Sequence, residues 1–133
     1  MAFNVKDANL IKTVALPTAA GAVAIASLDV KSAGDFLADA ELLIEAPALD
    51  GTMLPATRTM TYSIWDSAND SSYAQIADAV IVQTGASSVG GAAAATARFR
   101  LPTSVRRYVK VYATGGSSIG NCAAVSLTVS LCF

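Results

Sequence analysis

The sequence predicts an all-β fold, either a sandwich or a barrel, and three observations support this prediction. Apolar and polar residues alternate with a period of two in several short segments. Clusters rich in Gly, Pro, Asn, Asp and Ser separate these segments at close and fairly regular intervals. No segment repeats apolar residues at i, i+3, i+4 and i+7 over three turns, as an amphipathic helix would.

Two candidate strands open the chain. LIKTVAL, at 10–16, is a short run rich in β-branched residues and has the length of a strand. AVAIASLDV, at 22–30, alternates less cleanly and places Ile25 and Leu28 on opposite sides of the predicted strand. Turn signals follow each of them, in LPTAAGA and in KSAGD.

Two clearer strands come next. ADAELLIEA, at 38–46, sets one apolar side against a side that carries Glu41 and Glu45. TMTYSIWD, at 59–66, alternates Met, Tyr and Ile with Thr, Ser and Trp. The long connection PALDGTMLPAT between them contains two prolines and a glycine, as expected of a loop.

Four candidates complete the set of about eight. DAVIVQT, at 78–84, and AATARFRL, at 94–101, have strand length, and RRYVKVYA, at 106–113, alternates cleanly. VSLTVSLCF, at 125–133, alternates apolar residues with Ser, Thr and Cys, which predicts a strand with one buried face. The Ala-rich GGAAAATA could form at most one helical turn, because two glycines open it.

The length of 133 residues allows one domain. We expect a flexible N-terminal arm at residues 1–9 and a single β-sandwich domain at 10–133. No apolar run is long enough for a membrane span, and the first residues do not have the pattern of a signal peptide. We therefore expect synthesis and folding in a cytoplasm, where Cys122 and Cys132 would remain reduced.

The composition excludes several kinds of chemistry. The chain has no histidine, so it lacks the usual general base and the commonest metal ligand. It has no phosphate-binding or dinucleotide-binding glycine motif and no Cys-x-x-Cys. Glu41 and Glu45 would lie about 13 Å apart on one strand face, too far to work as a carboxylate pair. We expect no enzymatic activity, no cofactor and no metal.

The segment DSANDSS, at 66–72, offers Asp66, Asn69 and Asp70 as oxygen ligands for calcium. It lacks EF-hand spacing, and Asx and Ser residues are also typical of a hairpin loop, which is the favoured interpretation. Trp65 and Tyr73 flank this loop and are candidate loop contacts. Exposed aromatics there could stack on a sugar, although a single Trp in a sandwich more often lies in the core or at an interface.

Positive charge is concentrated late in the chain. Residues 98–133 contain five bases and no acid, whereas all ten acids lie in 1–97. Three hypotheses remain open: pairing with acidic strands of the same chain, docking on a partner, and binding of single-stranded nucleic acid through Lys110 with Tyr108 and Tyr112. The first two are favoured, because the protein as a whole is slightly acidic.

The order of segments in 62–133 resembles a known family of virion proteins. The segments are YSIWDSANDSSYAQIADAVIVQTGAS, GGAAAATARFRLPTSVRRYVKVYATGG and GNCAAVSLTVSLCF, with a looser match through LPTAAG and SLDV. They are similar to the capsid cement or decoration proteins of tailed bacteriophages, of the Bordetella phage cement protein type. The resemblance implies a jelly-roll-like antiparallel β-sandwich without catalytic residues.

The resemblance also implies a function and partners. Such a protein binds the exterior of an icosahedral phage capsid and cements neighbouring copies of the major capsid protein of the same phage. It associates with itself, as a dimer or a trimer, and needs neither nucleic acid nor membrane. Arg106, Arg107 and Tyr108 match the family's RRY and, with Phe3 and Val5 of the arm, are candidate capsid or self-interface contacts. The alternative is a tail or fibre adhesion module that binds host glycan near Trp65 and Tyr73.

Overall fold

Nine β-strands in two antiparallel sheets are formed by the residues that the computed structural model describes, 6–30 and 40–132. This part of the chain contains no α-helix, and the predicted all-β sandwich is confirmed. The strands are β1 (Lys6–Ala15), β2 (Gly21–Ala24), β3 (Leu28–Asp29), β4 (Glu41–Ala46), β5 (Thr59–Ser67), β6 (Ala74–Thr84), β7 (Ala95–Arg100), β8 (Tyr108–Gly115) and β9 (Ser126–Cys132).

The strand order is that of a jelly roll. One sheet has the order β1-β9-β4-β7 and the other β2-β8-β5-β6, with β3 also pairing with β8. A hairpin joins β5 to β6 within one sheet, and each of the three later connections crosses to the other sheet. These crossings build the two Greek keys that define the jelly roll among double-sheet folds.

The core lies between the two sheets and follows the predicted alternation. Leu42 and Ile44 of the first sheet and Met60, Tyr62 and Val111 of the second are completely buried. Each fully buried side chain of this size stabilises the fold by about 1.5–3 kcal/mol relative to its exposed state. Most polar residues of the sandwich therefore lie on its two outer faces and in its loops. The buried exceptions among the described residues are Ser63, Asp66, Ser67, Gln83 and Ser130.

One predicted strand is interrupted. The segment 22–30 forms β2 and β3, two short pieces that pair with the same neighbour, β8, on either side of residues 25–27. Ile25 and Leu28 are both in the core, although unbroken alternation places them on opposite sides. The break resets the phase of the strand, so this detail of the prediction was wrong.

The boundary of the predicted arm also changes. β1 begins at Lys6 and pairs with β9, so residues 6–9 are part of a strand and not of a separate arm. Phe3 and Val5 lie outside the described residues. The segment GGAAAATA forms no helical turn; it contributes the bridge between Leu49 and Ala92 and then enters β7.

The connections gather at opposite ends of the sandwich. One end, called here the small-residue end, consists of loops 16–20, 47–58, 85–94 and 116–125. Backbone hydrogen bonds link these loops to one another, for example from Gly120 N to Met53 O and from Cys122 N to Pro17 O. The other end, the hairpin end, includes residues 68–73 and 101–107.

Candidate interaction surfaces

The basic segment pairs largely within the chain. Arg98 of β7 forms an ion pair with Glu41 of the adjacent β4 at 3.3 Å. Arg106 and Arg107 form ion pairs with Asp66 and Asp29 at 2.7 and 2.9 Å. Of the three hypotheses for this segment, internal pairing therefore accounts for most of its arginines.

Arg106 fastens the loop before β8 to the end of β5. Its backbone N donates to Asp66 Oδ2 at 3.0 Å, and its Nε and Nη2 donate to Oδ1 at 2.9 and 2.7 Å. A further bond runs from Nη2 to the Asp66 carbonyl oxygen at 2.8 Å. Burial raises the pKa of Asp66, but the hydrogen bonds and charge of Arg106 outweigh this effect and leave the pKa below its ordinary value. Arg106 is thus held against the end of β5, although its side chain is partly exposed.

Arg107 makes a similar but more exposed pair. Its Nε and Nη2 donate to the two carboxylate oxygens of Asp29 at 3.1 and 2.9 Å, with both side chains more than a third exposed. Its guanidinium carbon lies 5.1 Å from the centre of the Tyr108 ring, within cation–π range. The hydrogen bonds and negative charge of Asp29 raise the pKa of Arg107.

The residues considered for stacking on nucleic-acid bases and the candidate loop contacts lie on one surface. Tyr108, Lys110 and Tyr112 alternate with core residues along β8, so they point to the outer face of the five-stranded sheet. Trp65 of β5 pairs with Lys110, and Tyr73 lies beneath the Lys110 ammonium. We call these five partly exposed side chains the aromatic cluster.

Contacts within the aromatic cluster fix its rings. The Trp65 and Tyr112 rings lie 5.3 Å apart at an interplanar angle of 55°. The Lys110 Nζ lies 4.7 Å from the centre of the Tyr73 ring, and the Tyr73 hydroxyl donates to Asp70 Oδ1. Burial and the charge of Asp70 raise the pKa of Tyr73, so its hydroxyl remains a donor at neutral pH.

The DSANDSS loop uses its oxygens for its own turn. Asn69 Oδ1 accepts hydrogen bonds from the backbone N of Ser71 and Ser72, both at 3.0 Å, and from Ser67 Oγ. Asp66 is bound to Arg106. These contacts agree with the hairpin-loop interpretation. In residues 6–30 and 40–132, no three His, Cys, Asp or Glu side chains are grouped closely enough to hold a metal ion.

The small-residue end is a second surface, and it is almost without charge. Asp50 and Arg58 are the only charged residues in its four loops. Asp50 Oδ1 is turned into its own loop, where it accepts bonds from the backbone N of Thr52 and Met53. The remaining exposed positions are mainly Ala, Ser, Thr and Gly.

Close backbone packing fixes these loops. Thr57 N donates to Gly85 O at 3.0 Å, and Gly85 N donates to Arg58 O at 2.8 Å. Gly91 N donates to Leu54 O at 2.7 Å. Gly90 has a φ of +74°, and a Cβ there would lie 2.7 Å from Leu54 O. The loop 85–94 therefore presents Val89 on a fixed backbone with 76% of its surface exposed.

Val82 extends this apolar surface onto the sheet. It is 50% exposed on the outer face of β6, opposite Thr61 of β5 and near the same end. The small-residue end was not among the surfaces predicted from the sequence. A usable signal was present, because the segments LPTAA, TGASSVGG and TGGSSIGN are all turn segments without a charged residue.

Comparisons with known proteins assign no family. The sequence matches no protein-family profile, and no curated protein is significantly similar to it. Among the described residues, no helix is both long enough and apolar enough to cross a bilayer.

Proposed function

We propose that this protein is a non-enzymatic structural component of a phage virion, which binds the capsid exterior and cements neighbouring major capsid subunits. The observation that carries the proposal is the small-residue end: a fixed, almost uncharged loop surface that presents Val89. The resemblance to cement proteins across 62–133 supports the same function. The protein would join the capsid in the host cytoplasm and remain on the outside of the virion.

The chemistry of the small-residue end suits a protein partner. Its exposed Ala, Ser and Thr side chains lose little side-chain entropy when another surface covers them, and their uncharged groups cost less to desolvate than charged ones. Its loops are already ordered by hydrogen bonds between them, so binding orders little additional backbone. An exposed valine on a fixed loop is a natural anchor for a small apolar pocket, worth roughly 1–2 kcal/mol.

Weak contacts of this size suffice for a cement protein. A capsid repeats the same binding position many times, and a self-associated protein can contact two positions at once. The second contact is then intramolecular, so avidity exceeds the affinity of one contact by a large factor. We therefore expect a homodimer, or else a trimer, which sedimentation equilibrium of the isolated protein would distinguish from a monomer.

Nucleic acid is a less suitable partner. Strong binding to phosphates requires several cations that can replace counterions. Arg98, Arg106 and Arg107 already contact carboxylates of the same chain. The docking hypothesis for RRY also becomes less attractive, because Arg106 is needed to hold its own loop.

A matched pair of variants tests the docking surface. Val89→Asp and Ser104→Asp each add one carboxylate at an exposed loop position, at the small-residue end and the hairpin end respectively. Each protein is mixed with capsids of the encoding phage that lack this chain, and bound copies are counted after sedimentation. We expect Val89→Asp to lose at least about tenfold in affinity and Ser104→Asp to bind normally. Equal binding by the two variants would contradict docking through the small-residue end.

A single-particle reconstruction of the virion tests the function itself. We expect hundreds of copies on the capsid exterior, with the small-residue end turned toward the major capsid protein. Density restricted to the tail would reject the cement function and support the adhesion alternative.

A further inference from the structure

We propose that the aromatic cluster is a binding site for a neutral oligosaccharide. Its residues are Trp65, Tyr73, Tyr108, Lys110 and Tyr112, on the outer face of the five-stranded sheet. This site is separate from the surface assigned above to capsid docking. A capsid-bound copy would present it away from the shell.

The position of the aromatic residues is the first argument. The chain has one Trp and four Tyr, and only Tyr62 of these is in the core. Trp65 follows the buried Ile64 on β5, so it has the opposite orientation and points outward. All five side chains of the cluster are partly exposed, so together they leave apolar surface in water on the outer sheet face, and a contiguous patch of this kind is typical of a binding surface.

The charges of the site are the second argument. Two cations, Arg107 and Lys110, lie beside two carboxylates, Asp29 and Asp70. The surface is therefore close to neutral and has no field to attract a polyanion. It does offer both donors and acceptors beside aromatic rings, which is what a polyhydroxylated, uncharged ligand requires.

The ring geometry is the third argument. Aromatic faces carry negative charge density and attract the electropositive C–H groups of a pyranose face. Because the Trp65 and Tyr112 planes meet at 55°, the platform is bent. A bent platform fits a soluble, twisted glycan chain. The flat surface of a crystalline polysaccharide would instead require a platform of coplanar aromatic rings.

The location makes the two proposals independent. Trp65 pairs with Lys110, and Ser67 pairs with Tyr108 at the end of β5, so the cluster lies toward the hairpin end. The docking surface lies at the opposite end of the same strands. Loss of saccharide binding would therefore leave capsid binding intact, and loss of capsid binding would leave saccharide binding intact.

The single Trp provides a direct measurement of binding. A glycan array of neutral, sialylated and sulfated oligosaccharides is probed first, and the hits are titrated while Trp65 emission is recorded. We expect saturable changes with neutral glycans. Tyr112→Ala and Tyr73→Ala should each weaken binding at least about tenfold, whereas Thr61→Ala, farther along the same face of β5, should not. Thermal unfolding of each variant checks that it is folded.

Three results would overturn the proposal. The first is an array without neutral hits, and the second is binding restricted to sulfated or sialylated glycans, which would indicate charge recognition. The third is unchanged affinity in folded Tyr112→Ala and Tyr73→Ala, which would place any glycan site elsewhere.

Discussion

Arg106 binds both carboxylate oxygens of Asp66, forty residues earlier in the chain, through its backbone N and its guanidinium. This pair joins the connection between the two sheets to the end of β5. The Asp66 side chain is only 6% exposed, whereas that of Arg106 is 39% exposed. The contact therefore lies at the boundary between core and solvent, and it governs both a stability and an acid sensitivity that can be measured.

Replacing Asp66 should destabilise the fold. Asp66→Asn removes the charge that Arg106 binds and leaves part of its guanidinium unpaired. We expect a loss of about 2 kcal/mol in the free energy of unfolding, below the range for a fully buried pair because Arg106 still contacts water. Urea denaturation measures it. Asp29→Asn, in the exposed pair with Arg107, is the control and should change stability much less; equal effects would contradict the distinction between the two pairs.

Stability should fall in acid partly through Asp66. Its pKa is lower in the folded chain than its ordinary value of 3.8. The carboxylate therefore contributes its full stability above about pH 4 and loses this contribution as the pH falls through the folded pKa. Unfolding in urea at pH 7, 5 and 3 should show a smaller decrease for Asp66→Asn than for the natural chain. Parallel decreases would show that other carboxyls, such as Asp50 and Asp70, account for the acid sensitivity.

A buried hydrogen-bond chain supports the small-residue end. The Tyr62 hydroxyl donates to Gln83 Oε1 at 2.8 Å, and Gln83 Nε2 donates to the carbonyl oxygens of Pro47 and Ala93. Tyr62→Phe would leave the Gln83 oxygen without this donor, at a cost of about 1–2 kcal/mol. Tyr112→Phe, on the outer face, is the control and should lie within about 0.5 kcal/mol of the natural chain. Chemical denaturation compares the two variants.

The conformation of Gly90 should be essential to the loop that presents Val89. A Cβ at Gly90 would meet Leu54 O at 2.7 Å, and the φ of +74° is unfavourable for alanine. We expect Gly90→Ala to lower stability by about 1–3 kcal/mol and to weaken capsid binding. Gly21→Ala separates the effect of the positive φ from the effect of the steric clash. Gly21 also has a positive φ, but no atom lies within 4 Å of a Cβ added there. If Gly90→Ala cost no more than Gly21→Ala, close packing of the loops would not be the cause.

Capsid binding should depend little on salt. The small-residue end presents almost no charge, so screening has few interactions to weaken. We expect the affinity for capsids to change by no more than about twofold between 50 and 500 mM NaCl. Binding through exposed arginines would instead decrease steeply over this range. Sedimentation assays at several salt concentrations distinguish the two mechanisms.

Local pattern was enough to find most strands. Alternation identified β4, β5, β8 and β9, because a strand exposes successive side chains on opposite faces wherever it pairs. It failed at Ile25 and Leu28, where β2 and β3 are separated by a break that no local signal indicates. It also missed the inclusion of residues 6–9 in β1, since that pairing depends on β9, more than a hundred residues later.

The sequence by itself determined the all-β class, the turn positions and the separation of acidic from basic segments. It also identified Trp65 and Tyr73 as residues of interest. Only the tertiary structure decided that they join Tyr112 and Lys110 in one cluster, because this depends on β5 lying beside β8. It likewise joined four distant loops into the small-residue end. Periodicity is a local property of the chain, whereas strand neighbours are chosen by packing of the whole core, so surfaces built across strands emerge only with the fold.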